Sequence, residues 1–213
     1  TLLGKDDARR ILNDALGYPD HVPDSAFDAD TRFDQALAFV DRLDTLARRL
    51  GRSFGIKLTN TLVVENPGDF LPKSEKLRYL SGPPLHVLAT TLVARFREAF
   101  GDRVPISFSA GIDRGNFADA VSLGLVPVTV CSDLLRTGGY GRMQTYFERL
   151  GERMDAVGAR SIDEWVVLGQ GQAEAALDSL AGEGAARVAA CKQALAARGD
   201  LRAAAGPELF ARW

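Results

Sequence analysis

Two apolar periods, one near three to four residues and one of two, take turns along this chain, and the switches between them mark its elements. Ala8, Ile11, Leu12, Ala15 and Leu16 recur at helical spacing behind Asp6 and Asp7, and Gly17 ends the run. Phe33, Leu37, Val40, Leu43, Ala47 and Leu50 mark one face of a second helix, closed by Arg48, Arg49 and Gly51. In 53–62, Phe54, Ile56 and Leu58 alternate with smaller or polar residues, which predicts a strand. The stretch 63–80, with Pro67, Gly68 and Pro72, reads as a long loop leaving that strand, placed to act as a lid over a site. Ser81, Gly82, Pro83 and Pro84 then turn the chain into a helix over 85–100, with Leu88, Leu92, Val93 and Phe96 facing inward.

The densest alternation lies in 104–143, which reads as strand, turn, helix, strand, turn, helix. Its strands, 105–109 and 126–131, are short and almost wholly apolar, as strands buried on both faces of a parallel sheet are, and 116–123 is a compact crossover helix. Each strand runs out into small residues, Ser109, Ala110 and Gly111 in one case and Ser132 in the other. Small residues let backbone N–H groups approach a ligand, and a following helix N-terminus carries partial positive charge, so two such turns side by side can hold a phosphate. In a (β/α)8 barrel that grip is often built after strands seven and eight. The same two turns also fit an α/β protein with no ligand. Phosphate is expected against Gly111 and Ser132, and a Gly111→Val change is expected to block it while sparing the fold.

Downstream, Gly138 and Gly139 lead into a helix over about 141–151, and Ser161 with Glu164 predicts a capping box before Trp165. Ala-rich helices follow over 173–180 and 185–197, with Val188, Leu195 and Leu201 at packing positions.

Composition narrows the classes. A chain of 213 residues, 46% of them hydrophobic, buries a sizeable core in one domain or one domain plus an extension. A net charge of −2 without a basic run excludes a nucleic-acid footprint. No apolar run reaches spanning length and no secretory signal opens the chain, so a cytoplasmic location is expected. A start at Thr1 and not Met suggests an excised or processed piece. Two distant cysteines, Cys131 and Cys191, and two histidines, His21 and His86, do not make a metal or iron–sulfur site. His21 is given no role, and His86 is read as packing or surface.

Three pieces in fixed order, Thr59-Asn60-Thr61, Leu80-Ser81-Gly82 with Pro84-Leu85, and Ser109-Ala110-Gly111-Ile112, resemble the C-terminal half of flavin barrels of the dihydroorotate and dihydropyrimidine dehydrogenase type. In that family they are strand six, the loop into helix six and the turn after strand seven. More narrowly, GIKLTNTLVVEN, YLSGPPLHVL, PISFSAGID, VPVTVCSDLL and TGGYGRM are similar to the barrel of the selenate reductase large-subunit family, glutamate-synthase-like iron–sulfur flavoproteins. The likeness covers roughly the first two-thirds of the chain.

The resemblance implies an α/β fold: a partial (β/α)8 TIM barrel of C-terminal strands and helices over 1–158, with an Ala-rich helical extension over 159–213. It implies a flavin-dependent oxidoreductase in which FMN relays hydride or electrons between a small substrate and iron–sulfur centres. Asn60 and Thr61 would face substrate or the flavin edge, unless the pair only satisfies its own loop. Ser81 and Gly82 would approach the flavin, and Ala110, Gly111, Ile112, Cys131 and Ser132 would bind the FMN phosphate. Two positions depart from the family: Ala110 stands where a glycine is common, and Cys131 either joins the grip or is a small buried apolar residue. The family's flavin-stabilising lysine on strand five and its catalytic base have no counterpart here, and Lys57, on strand six, does not replace that lysine. The catalytic residues therefore stay unknown. Iron–sulfur clusters, NAD(P)H or FAD would bind only to other domains or subunits, which would also complete the barrel. Two rival functions stay open: a flavin-free barrel serving as a scaffold for partner subunits, and a non-redox barrel enzyme binding a phosphorylated substrate.

Overall fold

Three short parallel segments form the centre of the chain. The computed structural model describes all residues except 29, 69, 70, 180, 181, 183, 201, 202 and 206–213. Strand β1 (Ile56–Leu58) runs parallel to β4 (Ile106–Phe108), with Lys57 opposite Ser107 and Leu58 opposite Phe108. On the far side of β4 the segment 126–130 also runs parallel, bridged at Phe108 and Val128, with the Phe108 N–H donating to Pro127 O and the Thr129 N–H to Phe108 O. The three lie in the order expected from the sequence, but the ladders are shorter. Pro105 and Pro127 carry no N–H, so each removes a rung that a longer ladder would need.

Helix α1 (Lys5–Arg9) passes into a π-helical turn (Arg10–Ala15), where a single regular helix was expected. The Asn13 amide, in this widened turn, donates to Tyr18 O and Asp20 O and so ties down the segment that follows. A short α2 (Ser25–Asp28) interrupts that segment, and α3 (Phe33–Arg49) follows as predicted. The predicted long loop over 63–80 is a β-hairpin. In it β2 (Leu62–Glu65) pairs antiparallel with β3 (Leu77–Leu80), Leu62 opposite Leu80. Asn66 organises the connection, donating to Pro72 O and Glu75 O while accepting from the Gly68 N–H. The hairpin is anchored as well: the Glu65 N–H donates to His21 O at 2.8 Å and Arg78 pairs with Asp20 at 2.5 Å. Leu62 and Val64 are part of the core, so the hairpin is a fixed wall and not a detachable lid.

Helix α4 (Pro84–Phe100) lays Leu85, Leu88, Leu92, Val93 and Phe96 into the main core with Leu58, Ile106 and Phe108. The crossover α5 (Phe117–Ser122) joins β4 to the segment 126–130. Helix α6 (Gln144–Val157) runs past Gly151, where it was expected to stop, because Leu150 and Met154 continue its apolar face into a cluster with Ala118 and Trp165. It ends at Gly158, whose φ of 67° is the left-handed stop. Helix α7 (Ile162–Leu168) begins with Ser161 Oγ accepting the Glu164 N–H, while the Glu164 carboxylate reaches back to the N–H of Arg160, one residue before the expected partner. Trp165, 1% exposed, donates from Nε1 to Ala118 O, fixing α7 on α5. Helices α8 (Ala173–Ser179) and α9 (Ala185–Ala197) form a separate cluster with Val166 and Val167. A boundary after 158 would therefore fall just before a helix that touches both clusters. Leu201 lies outside the described residues.

Among the described residues no helix is long and apolar enough to cross a membrane. The arrangement of parallel segments, crossover helices and hairpin is an α/β fold.

Candidate functional site

The C-terminal ends of the three parallel segments open into one cleft of about 280 Å³. Four turns line it. Thr59, Asn60 and Thr61 follow β1, Ser81 and Gly82 precede α4, Ala110, Gly111 and Ile112 follow β4, and Cys131 and Ser132 follow the third segment. Every position singled out from the sequence as a site residue therefore meets at this cleft.

Asn60 and Thr61 are both exposed, and Asn60 Oδ1 accepts the Thr61 N–H at 2.9 Å. One end of the Asn60 amide thus serves its own loop, and its NH2 group makes no hydrogen bond among the described residues. Gly82 and Gly111 have positive φ, 78° and 57°. A Cβ built on Gly111 would lie 2.7 Å from Gly82 O and from Pro83 Cα, so this turn stacks directly on the entrance to α4. Gly111→Val would drive two backbone segments apart, which overturns the expectation that it spares the fold. Ala110 is buried, and its methyl group packs in the core. Cys131 is exposed, which removes the buried apolar reading of its thiol.

Side chains that sequence reasoning passed over aim the backbone of these turns. His86 Nδ1 lies 2.8 Å from Ala110 O, and because a carbonyl only accepts, Nδ1 carries the proton. Asn116 Nδ2 donates to Gly111 O at 2.9 Å while Asn116 Oδ1 accepts the Asp113 N–H. In a trans peptide C=O and N–H point opposite ways. Holding Ala110 O and Gly111 O on the protein side therefore turns the N–H groups of Gly111 and Ile112 the other way. Neither N–H, nor those of Ser132 and Asp133, reaches a protein acceptor among the described residues.

The second turn is held by Asp133, which is 5% exposed. Its carboxylate accepts Arg142 Nε at 3.0 Å, Arg142 Nη2 at 2.7 Å and the Tyr146 hydroxyl at 2.5 Å. The Arg142 guanidinium keeps this carboxyl below the usual range. Burial, and then the hydrogen bond to Asp133, pushes the Tyr146 phenol upward. Asp133 is thereby an anchor, with its charge consumed. Nothing in the local pattern signals these partners, which stand 24, 5, 9 and 13 residues apart.

Parallel strands with small-residue turns gathered at one C-terminal edge define an α/β domain of the class that takes its ligands at the strand ends. The chain belongs to the family described as oxidoreductase YgfK, N-terminal TIM-barrel domain, whose model matches residues 1–180. It is 37% identical over 164 residues to "Putative oxidoreductase YgfK" of Escherichia coli (strain K12), covering 76% of this chain and 16% of that protein, and the O157:H7 counterpart gives the same figures. It is 31% identical over 101 residues to dihydroorotate dehydrogenase (quinone) of Bordetella pertussis, covering 46% of this chain and 29% of the relative. The chain thus spans a minor part of the curated relatives it matches. No solved structure matches it.

Proposed function

We propose that this oxidoreductase barrel domain binds FMN by its phosphate, as part of a multidomain iron–sulfur flavoprotein of the selenate-reductase-like, dihydropyrimidine and dihydroorotate dehydrogenase type. The observation that carries the reading is the set of backbone N–H groups without acceptors among the described residues, Gly111 and Ile112 on one turn and Ser132 and Asp133 on the next, at the ends of adjacent parallel segments. A phosphate is the ligand such a double turn suits, because several N–H dipoles converge on one small anion. The fit extends to size. At about 280 Å³ the cleft lies just under the ~300–1,000 Å³ typical of whole-ligand pockets, enough for a phosphate and part of its attached chain. A second cleft of about 600 Å³ adjoins it and shares the Asn60 and Thr61 wall.

In this reading the turn of Ala110, Gly111 and Ile112 and the turn of Cys131 and Ser132 hold the phosphate, with the N–H groups of Gly111, Ile112, Ser132 and Asp133 as donors. Ser81 and Gly82 let the ligand lie close to the backbone, and Asn60 and Thr61 meet substrate or the ring edge. When bound, FMN would supply the hydride and single-electron chemistry. Among the described residues no group of His, Cys, Asp or Glu could hold a metal, so iron–sulfur centres belong to other domains or subunits in this scheme. Titration of the purified protein with FMN, and with riboflavin as the phosphate-free control, tests it. The expected result is a yellow complex with FMN and at least tenfold weaker binding of riboflavin. A protein that stays colourless but binds a phosphate ester would instead be a non-redox barrel enzyme.

A further inference from the structure

Among the described residues Lys57 is the one charged side chain lining the strand-end cleft. It stands in the middle of β1, where side chains alternate between faces, and its neighbour Leu58 is buried in the core. Lys57 therefore lies on the opposite face, where the cleft opens. No carboxylate lines that cleft, and among the described residues the Lys57 ammonium has no ion-pair or hydrogen-bond partner. Other charges nearby are already matched. Arg142 and Arg136 are drawn to Asp133, and Asp30, in the adjoining cleft, is paired with the Thr1 amino group.

We infer that Lys57 supplies the full positive charge of an anion site whose directional contacts come from the N–H groups of Gly111, Ile112, Ser132 and Asp133. The site selects a phosphate monoester over the corresponding alcohol. This rests on the reading above that a phosphate occupies the cleft, and it adds the residue that neutralises it. The two components differ in kind: backbone N–H groups fix orientation but carry only partial charge, whereas an ammonium on a flexible stem acts as a point charge that follows a dianion. A matched acid in the cleft would have cancelled that charge, and none lines it.

Cys131 provides a reporter, because its thiol is exposed in the same cleft while Cys191 is buried. The experiment compares wild type with Lys57→Met and Lys57→Arg, measuring the rate of Cys131 alkylation by iodoacetamide with and without inorganic phosphate, and the binding of FMN and riboflavin. Lys57 is exposed, so the substitutions leave the core untouched, and Lys57→Gln serves if Lys57→Met fails to fold. Expected are phosphate protection of Cys131 in wild type, at least a tenfold loss of that protection in Lys57→Met, and its substantial return in Lys57→Arg. FMN affinity should fall at least tenfold in Lys57→Met, with riboflavin unchanged. Equal losses for FMN and riboflavin, or phosphate protection independent of residue 57, would overturn the inference. Failure of the flavin reading looks different: a wild type that binds no FMN but keeps Lys57-dependent phosphate protection retires the flavin and leaves the anion site in place.

Discussion

Gly111 and Gly82 face each other across the site, and the same substitution at each should have unequal costs. Both residues have left-handed backbone, so an alanine at either position carries about 1–2 kcal/mol of conformational strain. The space around them differs. At Gly82 the added methyl meets only the Ser132 side chain, at 3.3 Å from Oγ and 3.5 Å from Cβ, close to ordinary contact and able to rotate. At Gly111 it meets Gly82 O, Pro83 Cα and Gly82 C at 2.7, 2.7 and 2.8 Å, all backbone at the entrance to α4. Relieving that overlap means separating the turn from α4 by several tenths of an ångström, and overpacking of this sort typically costs another ~1–3 kcal/mol. Gly111→Ala should therefore destabilise by about 2–5 kcal/mol and Gly82→Ala by about 1–2 kcal/mol. Urea unfolding followed by far-UV circular dichroism reads the difference as a lower midpoint at unchanged slope; with slopes of ~1–3 kcal/mol per molar, the Gly111 variant should shift by roughly 0.7 M or more. If Gly111→Ala proved no more costly than Gly82→Ala, the stacking of the turn on α4 would be refuted.

Buried groups near the site set three further outcomes. Arg142 and Tyr146 hold the folded-state pKa of Asp133 below its ordinary 3.8, so the stabilisation they give is complete above about pH 4 and is lost as the pH falls further. The gap in urea midpoint between wild type and Asp133→Asn should accordingly be larger at pH 7 than at pH 3, and an equal gap at both would contradict the anchoring role; Tyr146→Phe should cost ~1.5–3 kcal/mol at neutral pH, as loss of a hydrogen bond to a charged group does. Trp165→Ala should cost ~3–5 kcal/mol and lower a single transition, because the indole joins α7 to α5. Two separated transitions in that variant would place α7 in an independent extension.

The parallel segments were legible as strands because short apolar runs such as 105–109 and 126–131, each bounded by small residues, have few alternatives. The expected burial on both faces does not hold: Ile106 and Phe108 are buried, whereas Val126, Pro127, Thr129 and Cys131 are exposed on the outer segment, which no further strand covers among the described residues. The turns after them were legible for a related reason, since a glycine at 111 and small side chains at 110 and 132 mark places where backbone must come close to something. The hairpin was not. Its strands, Leu62–Glu65 and Leu77–Leu80, are separated by a polar connection rich in Pro and Gly that imitates an open loop, and the bonds that fix it come from Asp20 and His21, far back in the chain. The π-helical turn was hidden too, because its apolar residues fit an ordinary helical period and only the Asn13 contacts with the following loop favour the wider one.

The division between what the sequence disclosed and what it concealed follows a physical line through the site itself. In the proposed grip the groups that would face a ligand are mostly backbone, and their placement demands small residues, which leave a trace in composition. The side chains that orient that backbone, His86, Asn116, Asp133 and Arg142, act over sequence distances at which no periodicity operates. With strands only three residues long, the sheet supplies few ladder bonds to hold its own C-terminal edge. Orientation of the cleft is therefore carried by those side chain to backbone and side chain to side chain bonds, and the site can loosen while the core of Leu58, Ile106, Phe108 and α4 stays packed. A damaged ligand grip on an intact fold should thus come from the side chains that aim the turns, whereas Gly111, whose neighbours are backbone, couples site and fold together.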